Sequence, residues 1–266
     1  MNALQLGALK TLVHTIGRLS DGVRIACEHG LTSGKMIDYV YRNQPSGKLL
    51  VGRLLDRIYL SHEAWEAVRV RKRNLAELLE WAIRRQLADS GEVLLLDIAA
   101  AQARYVQDAL AKFPQQKLEA VCWDLDKRWL REGRARAAER GLRNIHYKRG
   151  DALDARCYDR LGRRPNVVVA SGFYDWMEND DTIKRSLEIV RGALDEGGWF
   201  LFTIQTGHAN LQMVNEVFSG FDGEALRMST RPRAVVHRWA RQAGFEITRS
   251  KADRWGYYAV TLARKR

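Results

Sequence analysis

Three aspartates stand where short apolar runs end, which is where a parallel sheet offers polar groups to a ligand. The run 93–96 ends at Asp97, the run 118–123 ends at Asp124, and Asp151 follows a third apolar run. Ligands of open α/β sheets bind beyond the carboxyl ends of the strands. A carboxylate at that position accepts hydrogen bonds from hydroxyl and amino groups. The pattern therefore predicts a site for a nucleotide-sized ligand.

A run of small residues follows Asp97, with the sequence Ile98-Ala-Ala-Ala-Gln-Ala103. Small side chains allow the backbone to approach a ligand closely, and glycine is the usual residue because it accepts positive φ. Here Ala99, Ala101 and Ala103 occupy such positions. An alanine held at left-handed φ costs roughly 1–2 kcal/mol. The small residues thus predict that the backbone of this loop approaches a ligand closely. Any alanine that is left-handed there lowers the stability of the fold.

Asp124 lies about 20 residues after the small-residue loop, the distance at which an acidic residue meets ribose hydroxyls in dinucleotide sites. Asp126 competes for this role, and a solvated aspartate at a strand end is the alternative reading. Asp151 follows Gly150, where a side-chain acceptor suits an adenine amino group; a plain turn is the alternative.

Small residues and then aromatic ones follow the fourth apolar run, as Ser171-Gly-Phe-Tyr174-Asp175-Trp176. Tyr174 and Asp175, together with His208 after the fifth run, are candidates for a general base. Tyr174 also suits an aromatic wall, and His208 also suits a surface position. The sequence leaves these alternatives open.

The net positive charge suits an acidic partner such as nucleic acid, an anionic membrane surface or a phosphorylated small molecule, but a solvated basic surface is the favoured interpretation. The formal net charge is +12, but the basic residues are spread along the chain and form no dedicated nucleic-acid patch. The three cysteines have no metal-ligand spacing, which predicts free thiols and a cytoplasmic location. The sequence lacks the phosphate-loop, nucleophile-elbow and His-Glu-x-x-His motifs. We expect no metal and no transmembrane segment.

The first 90 residues are predicted to form a helical extension or substrate cap. Apolar residues recur at three- and four-residue steps in the first segment, so we expect an amphipathic helix that packs on its own domain or lies on a membrane surface. The predicted elements are a helix over 4–27, a loop over 30–52 with a short helix at 36–41, a helix over 64–86 and a turn at 89–91.

Residues 91–266 are predicted to form a doubly wound α/β domain. Apolar runs alternate with helical patterns, which implies right-handed crossovers and a mostly parallel sheet, closed by a late hairpin. The predicted strands are 93–96, 118–123, 145–147, 167–170, 199–204, 245–249 and 257–263, and the predicted helices between them include 105–112, 129–140, 181–194 and 232–243.

Several segments together resemble the class I S-adenosylmethionine-dependent methyltransferases, which have a Rossmann-like fold. More narrowly, the chain is similar to a bacterial methyltransferase family with a helical N-terminal extension. Within the predicted α/β domain, the resemblance is carried by four segments: Leu96-Asp-Ile-Ala-Ala-Ala-Gln-Ala-Arg-Tyr105, Ser171-Gly-Phe-Tyr174, Gln205-Thr-Gly-His208 and 255–264. Before that domain, residues 31–45 are also similar to the family.

The resemblance implies S-adenosylmethionine as cofactor and a role for each matching residue. Its methionine part would meet Asp97, Ala99, Ala101, Ala103 and Tyr105, its ribose Asp124, its adenine Asp151 and Ala152, and its methyl group Ser171 and Gly172. Tyr174 and His208 would be the catalytic residues. Members of the family usually have glycine where this chain has Ala101 and Ala103.

The sequence thus predicts a cytoplasmic methyltransferase that acts on a small-molecule or lipid-like acceptor. The alanines motivate one alternative, a catalytically impaired relative that serves as a binding or scaffolding protein. The positive charge motivates another, an RNA methyltransferase, which is less favoured because the charge is diffuse.

Overall fold

A computed structural model describes residues 3–114, 116–208, 210–220, 223, 226 and 228–266. The chain forms two compact units. Met1–Val70 and His208–Met228 make up the first, and Arg71–Gly207 and Ser229–Arg266 make up the second. The functional division into a cap of residues 1–90 and a cofactor domain of residues 91–266 stays a prediction.

Among the described residues, helices and strands alternate through the second unit, whereas the first unit contains helices. Short 3₁₀ helices cover Ile16–Leu19 and Tyr174–Trp176. The α-helices are α1 (Ala3–His14), α2 (Asp21–His29), α3 (Gly34–Arg42), α4 (Leu49–Leu60), α5 (Glu63–Ser90), α6 (Arg104–Lys112), α7 (Lys127–Glu139), α8 (Ala155–Asp159), α9 (Asp180–Ala193), α10 (Leu211–Val217) and α11 (Arg233–Gln242). The strands are β1 (Glu92–Asp97), β2 (Lys117–Asp124), β3 (Ile145–Arg149), β4 (Val167–Ala170), β5 (Trp199–Gln205), β6 (Phe245–Ala252) and β7 (Tyr258–Lys265).

The seven strands form one sheet in the order β3-β2-β1-β4-β5-β7-β6. Strands β1 to β5 pair in parallel, while β7 runs antiparallel between β5 and β6. Chain order reverses between β1 and β4, which makes that junction the topological switch point. The predicted doubly wound sheet and its late hairpin are confirmed.

Helices cover both faces of this sheet. Side chains alternate across β1, so that Leu95 packs into the core under α5 and α6, while Leu96 packs into the core under α9 and α11. Burial on both faces explains why the central strands appear in the sequence as continuous apolar runs.

The N-terminal helices differ from the prediction of a single helix over 4–27. The structure has α1, a 3₁₀ turn and α2 in this segment, because Ser20 caps α2 by accepting a hydrogen bond from the Val23 N–H at 3.1 Å. Within the predicted loop over 30–52, the short helix expected at 36–41 is present as α3, and the loop also contains the start of α4, which was not predicted. In the described part of the chain, no helix has both the length and the hydrophobicity needed to cross a bilayer.

One buried carboxylate organises the helices of the first unit. Asp56 on α4 accepts hydrogen bonds on one oxygen from the Ser20 hydroxyl at 2.6 Å and the Gly22 N–H at 2.7 Å. Its second oxygen accepts from the Tyr39 hydroxyl and from the Ser46 N–H at 2.8 Å. Burial and this contact with Asp56 raise the pKa of Tyr39 to about 12. Asp56 therefore joins α4 to α2, to α3 and to the chain before α4.

Replacing Asp56 with alanine should lower the free energy of unfolding of the first unit by at least about 2 kcal/mol, because it leaves several buried donors without an acceptor. Urea denaturation followed by circular dichroism measures this loss. Asp89→Ala is the matched control, since Asp89 lies exposed on α5 and pairs with Arg85 at 3.3 Å, an exposed ion pair that contributes little to stability. Equal losses for the two variants would contradict the role assigned to Asp56.

Candidate functional site

The carboxyl ends of five parallel strands meet at one edge of the sheet. Asp97 ends β1, Asp124 ends β2 and Gln205 ends β5, while Asp151 and Ser171 follow β3 and β4. The structure therefore brings the residues predicted from the strand ends to a common edge, with the switch point between β1 and β4 at its centre.

The loop after β1 is strained at three positions. Ala99, Ala101 and Ala103 have φ values of 57°, 47° and 52°, all in the left-handed region that glycine favours. Each of the three alanines therefore has the left-handed φ whose cost was considered from the sequence, roughly 1–2 kcal/mol per residue.

Hydrogen bonds to the neighbouring strands hold this strained loop in place. The Ile98 N–H donates to the Val169 carbonyl of β4 at 2.9 Å, and the Ala100 N–H donates to the Trp123 carbonyl of β2 at 2.7 Å. The Ala101 N–H donates to Oδ2 of Asp124 at 2.8 Å. The loop is therefore anchored on both sides of β1, which keeps the alanines in their unfavourable conformation.

Asp97 is fully buried and only half of its carboxylate is engaged. Its Oδ1 accepts a hydrogen bond from the Tyr105 hydroxyl at 2.6 Å, whereas the buried Oδ2 has no hydrogen-bond partner among the residues that the structure describes. Burial raises the pKa of Asp97 well above its ordinary value. A buried acceptor without a partner is costly, so this oxygen is suited to a donor or cation supplied by a ligand.

Asp124 and Asp126, the two candidates for one role, have different environments. Asp124 is half-buried and accepts from the Ala101 N–H on one oxygen and from the Asp126 N–H at 2.9 Å on the other. Burial raises its pKa, although these backbone hydrogen bonds oppose the shift. Asp126 instead caps α7 and pairs with Arg128 at 2.6 Å. A carboxylate has about four acceptor positions, so Asp124 retains acceptor capacity at the edge.

The turn after β3 is shaped by its own hydrogen bonds. Oδ1 of Asp151 accepts from the Leu153 N–H at 2.9 Å, and the carbonyl of the buried Ala152 accepts from the Tyr158 hydroxyl at 3.0 Å. A side chain at Gly150 would come within 2.6 Å of the Trp123 ring, so this position requires glycine. One oxygen of Asp151 therefore orders the turn.

Ser171 and Gly172 form a slim segment after β4. Gly172 has φ 73°, and its N–H donates to the Thr203 hydroxyl at 2.7 Å. Ser171 is half-buried. A Cβ built on Gly172 would lie 3.9 Å from both Arg71 and Asp175. The segment thus borders a buried pair of opposite charges.

This buried pair joins α5 to the segment after β4. Nη1 of Arg71 lies 2.9 Å from Oδ2 of Asp175, and both side chains are buried. Oδ1 of Asp175 accepts from the Gln205 N–H at 3.0 Å, and the Arg71 guanidinium lies 4.5 Å from the centre of the Tyr258 ring. Burial raises the pKa of Asp175, while Arg71 opposes the shift. Asp175, considered from the sequence as a base, is thus engaged by a cation and a backbone N–H.

Sequence reasoning missed the Arg71–Asp175 pair and the Gln205 side chain. Arg71 stood within a basic run on a predicted helix, and no local pattern links it to a residue 104 positions away. The Gln205 side chain is 2% exposed, and in the described part of the chain neither of its buried amide atoms has a hydrogen-bond partner. Its position at the end of a predicted strand was the available signal.

Tyr174 is buried in the core behind the strand ends. Its hydroxyl lies 3.3 Å from the Ser186 hydroxyl on α9, and its ring packs at an angle on Phe202. Burial raises the pKa of Tyr174 above its ordinary value. This buried environment suits an aromatic wall of the site better than a general base. The catalytic role of Tyr174 stays a prediction.

His208 belongs to the first unit. Partial burial lowers the pKa of His208, and His62 adds to the shift. Its Nδ1 accepts from the Asn210 N–H at 3.2 Å, so the neutral ring carries its proton on Nε2. The catalytic role of His208 stays a prediction.

A hollow of about 830 Å³ lies at the opposite edge of the sheet, where β1, β2 and β3 begin. Arg163 in its lining pairs with Glu119 at 2.6 Å and lies 3.7 Å from Glu92. Because ligands of parallel sheets bind at the carboxyl edge, we do not assign the functional site to this hollow. The described residues contain no group of three or more side chains suited to holding a metal ion.

Solved structures share this fold. A Bordetella parapertussis protein described as a "possible exported protein" aligns with a TM-score of 0.74 at 19% identity, covering 96% of this chain and 86% of that one. Magnesium protoporphyrin IX methyltransferase from Synechocystis PCC 6803 aligns with a TM-score of 0.59 at 12% identity, covering 90% and 98%. The seven-stranded, mostly parallel sheet with its flanking helices is thus the Rossmann-like methyltransferase fold.

Residues 1–265 match the family described as "Putative methyltransferase", and the chain belongs to that family. "Uncharacterized protein YnbC" of Escherichia coli (strain K12) is 32% identical over 260 residues, which cover 97% of this chain. The chain spans 44% of that relative, less than half of its length. The family match includes the N-terminal helices as well as the sheet.

Replacing Ala101 or Ala103 with glycine should raise the free energy of unfolding by about 0.5–1 kcal/mol, because relief of left-handed strain exceeds the added entropy of the unfolded chain. Thermal and urea denaturation measure the gain. Ala100→Gly is the matched control: Ala100 is buried in the same loop outside the left-handed region, and its replacement should destabilise the protein. If all three replacements with glycine lowered the free energy of unfolding, the left-handed alanines would not be strained.

Arg71→Leu should lower the free energy of unfolding of the second unit by about 3–5 kcal/mol, because it leaves Asp175 buried without its cation. The double variant Arg71→Leu/Asp175→Asn should recover much of this loss, since the asparagine carbonyl can still accept from the Gln205 N–H. Urea denaturation of both single variants and the double variant gives the coupling energy. If the loss in the double variant equals the sum of the losses in the two single variants, the two side chains do not stabilise each other.

Proposed function

We propose that this chain is an S-adenosylmethionine-dependent methyltransferase acting on a small-molecule or lipid-like acceptor. The observation that carries the proposal is the buried Oδ2 of Asp97, which has no hydrogen-bond partner within the described ranges and lies at the switch point of a methyltransferase fold. The family assignment supports it, and the Synechocystis methyltransferase of the same fold was solved with bound SAH.

The residues at the sheet edge fit the parts of this cofactor. Asp97, oriented by Tyr105, would bind the ammonium group of the methionine part, because a buried carboxylate is best satisfied by a cation. Asp124 would accept from the ribose hydroxyls. The adenine would meet Asp151 and Ala152.

The small-residue segments would lie against the sulfonium end of the cofactor. We assign the loop Ala99 to Ala103 to the methionine part, and Ser171 with Gly172 to the methyl group. When bound, S-adenosylmethionine supplies an electrophilic methyl group attached to sulfur.

Catalysis in this proposal comes mainly from placement of the acceptor. Asp175 is neutralised by Arg71, the Tyr174 hydroxyl faces Ser186, and the neutral His208 ring holds its proton on Nε2. Holding two reactants in the correct geometry can itself supply several kcal/mol of rate enhancement, about 7–11 in favourable cases. We therefore expect an acceptor whose attacking atom is already unprotonated, with residues 1–90 as its cap.

The three left-handed alanines favour one second candidate, a binding or scaffolding protein of the same fold. Each alanine adds a methyl group where glycine would leave space, and each is half-buried or buried in the loop beside β1. We place either protein in the cytoplasm, in keeping with the free thiols of Cys27, Cys122 and Cys157.

Calorimetric titration with S-adenosylmethionine separates the two candidates. The enzyme should bind with a micromolar Kd, and Asp97→Asn should weaken binding at least about tenfold by removing the charge that meets the ammonium group. Asp124→Ala should abolish the heat. Asp126→Ala is the matched control: it removes the nearby helix cap, which costs about 1 kcal/mol of stability, and should leave binding intact.

If titration with millimolar S-adenosylmethionine gives no heat while circular dichroism shows a folded protein, the enzyme proposal is overturned in favour of a binding or scaffolding protein. Ala101→Gly/Ala103→Gly should then restore binding if the methyl groups are the obstacle. Retention of S-adenosylmethionine or its demethylated product by protein purified from cells would support the enzyme directly.

A further inference from the structure

Large apolar side chains are exposed mainly in the first unit. The described residues outside it contribute Leu125 and Trp176 to this class. Those within it are Leu4 and Leu12 on α1, Ile16 on the 3₁₀ turn, and Leu49, Leu50, Val51, Leu54 and Ile58 on α4. Because α4 carries five of them within one short helix, it forms a concentrated apolar surface.

The buried side of α4 consists of a glycine, a carboxylate and one leucine. Gly52 packs so closely on Leu19 that an added Cβ would lie 2.3 Å from its carbonyl oxygen. Asp56, four residues later, makes the hydrogen bonds described above, and Leu60 completes the row. The rotation of α4 about its axis is therefore fixed by close backbone packing and by a buried charge.

The outward side of α4 is apolar as a result. Leu50, Leu54 and Ile58 follow one another at four-residue steps and are 85%, 58% and 61% exposed. An amphipathic helix of a globular domain ordinarily turns its apolar stripe inward. In α4 the arrangement is reversed, and contiguous exposed apolar surface of this kind marks a protein or membrane interaction site.

The exposed charged residues of α4 and of the residue before it all have the same sign. Lys48, Arg53 and Arg57 are exposed, whereas the single acidic residue of α4, Asp56, is buried. Elsewhere in this unit, Arg18 pairs with Glu28 at 2.9 Å and the charge of Asp21 acts on Lys48, so the positive charge beside the stripe comes from Arg53 and Arg57. An apolar helix stripe next to exposed arginines is complementary to the acyl chains and headgroups of an anionic lipid surface.

We propose that α4 docks this protein on an anionic lipid bilayer. Leu50, Leu54 and Ile58 enter the boundary between headgroups and acyl chains, while Arg53 and Arg57 contact the lipid phosphates. With 12 residues, α4 is about 18 Å long, too short to span a bilayer, and it lies in the plane of the interface. Membrane docking stands on α4 alone and does not depend on methyl transfer.

Cosedimentation with unilamellar vesicles tests the proposal. The full chain should bind vesicles of phosphatidylglycerol and phosphatidylcholine in equal parts, bind weakly to phosphatidylcholine alone, and lose affinity as salt rises. Leu54→Ser should weaken binding about tenfold by removing a buried apolar side chain. Arg53→Gln/Arg57→Gln should weaken binding to anionic vesicles about fivefold per charge.

Leu125→Ser is the matched control, because Leu125 in the second unit is as exposed as Leu54 at 58%. It should leave vesicle binding unchanged. Circular dichroism verifies that each variant is folded, which is expected because the replaced side chains face solvent.

Three results would overturn the proposal: no binding of the folded chain to anionic vesicles, equal weakening by Leu125→Ser and Leu54→Ser, or self-association that Leu54→Ser abolishes while vesicles are not bound. The last result would assign the stripe to a second copy of the chain. Calorimetry with S-adenosylmethionine on the same samples keeps this outcome separate from the proposed function, since either measurement can fail while the other succeeds.

Discussion

The parallel pairing of β1 with β2 on one side and with β4 on the other is the constraint on which the second unit depends. It brings the ends of strands that are far apart in sequence to one edge of the sheet. The loop after β1 can keep its strained conformation only because β2 and β4 supply acceptors on both sides. Local geometry at the site is therefore a product of the long-range pairing.

Two buried carboxylates in the second unit show how differently the same group can be used. Asp175 has a cation and a backbone donor, and that cation lies over an aromatic ring, so the charge of Asp175 is compensated within the unit. Asp97 accepts from one hydroxyl donor, and its other oxygen has no partner among the residues with described positions. A compensated carboxylate serves structure, whereas an incompletely compensated one retains free energy that a ligand can recover. By this criterion, Asp175 is a structural residue of the sheet edge and Asp97 is its candidate binding group.

The sequence was sufficient for the sheet because its signals are periodic and local. The apolar run before Asp97 and the small residues after it predicted both a strand and a close-approach loop, and the structure adds that Ala99, Ala101 and Ala103 are left-handed. The pairing of Arg71 with Asp175 could not be predicted, because it links residues 104 positions apart through the tertiary fold.

The first unit was harder to predict from sequence. Ser20 interrupts the apolar periodicity of the first segment as a helix cap. The glycines and the proline of residues 30–52 led this segment, with the start of α4, to be interpreted mainly as loop. The buried face of α4 contains Gly52 and Asp56 beside Leu60, whereas most of its apolar side chains are exposed, so the usual inference from periodicity to orientation gives the wrong answer. Asp56 decides the orientation through partners that only the folded chain brings together.

The left-handed alanines also have a genetic consequence. Every alanine codon differs from a glycine codon only at its second base, so each of the three positions is a single nucleotide change from the residue that its backbone conformation favours. Random mutagenesis followed by selection for heat resistance can therefore reach a relaxed form of this loop without passing through any other amino acid.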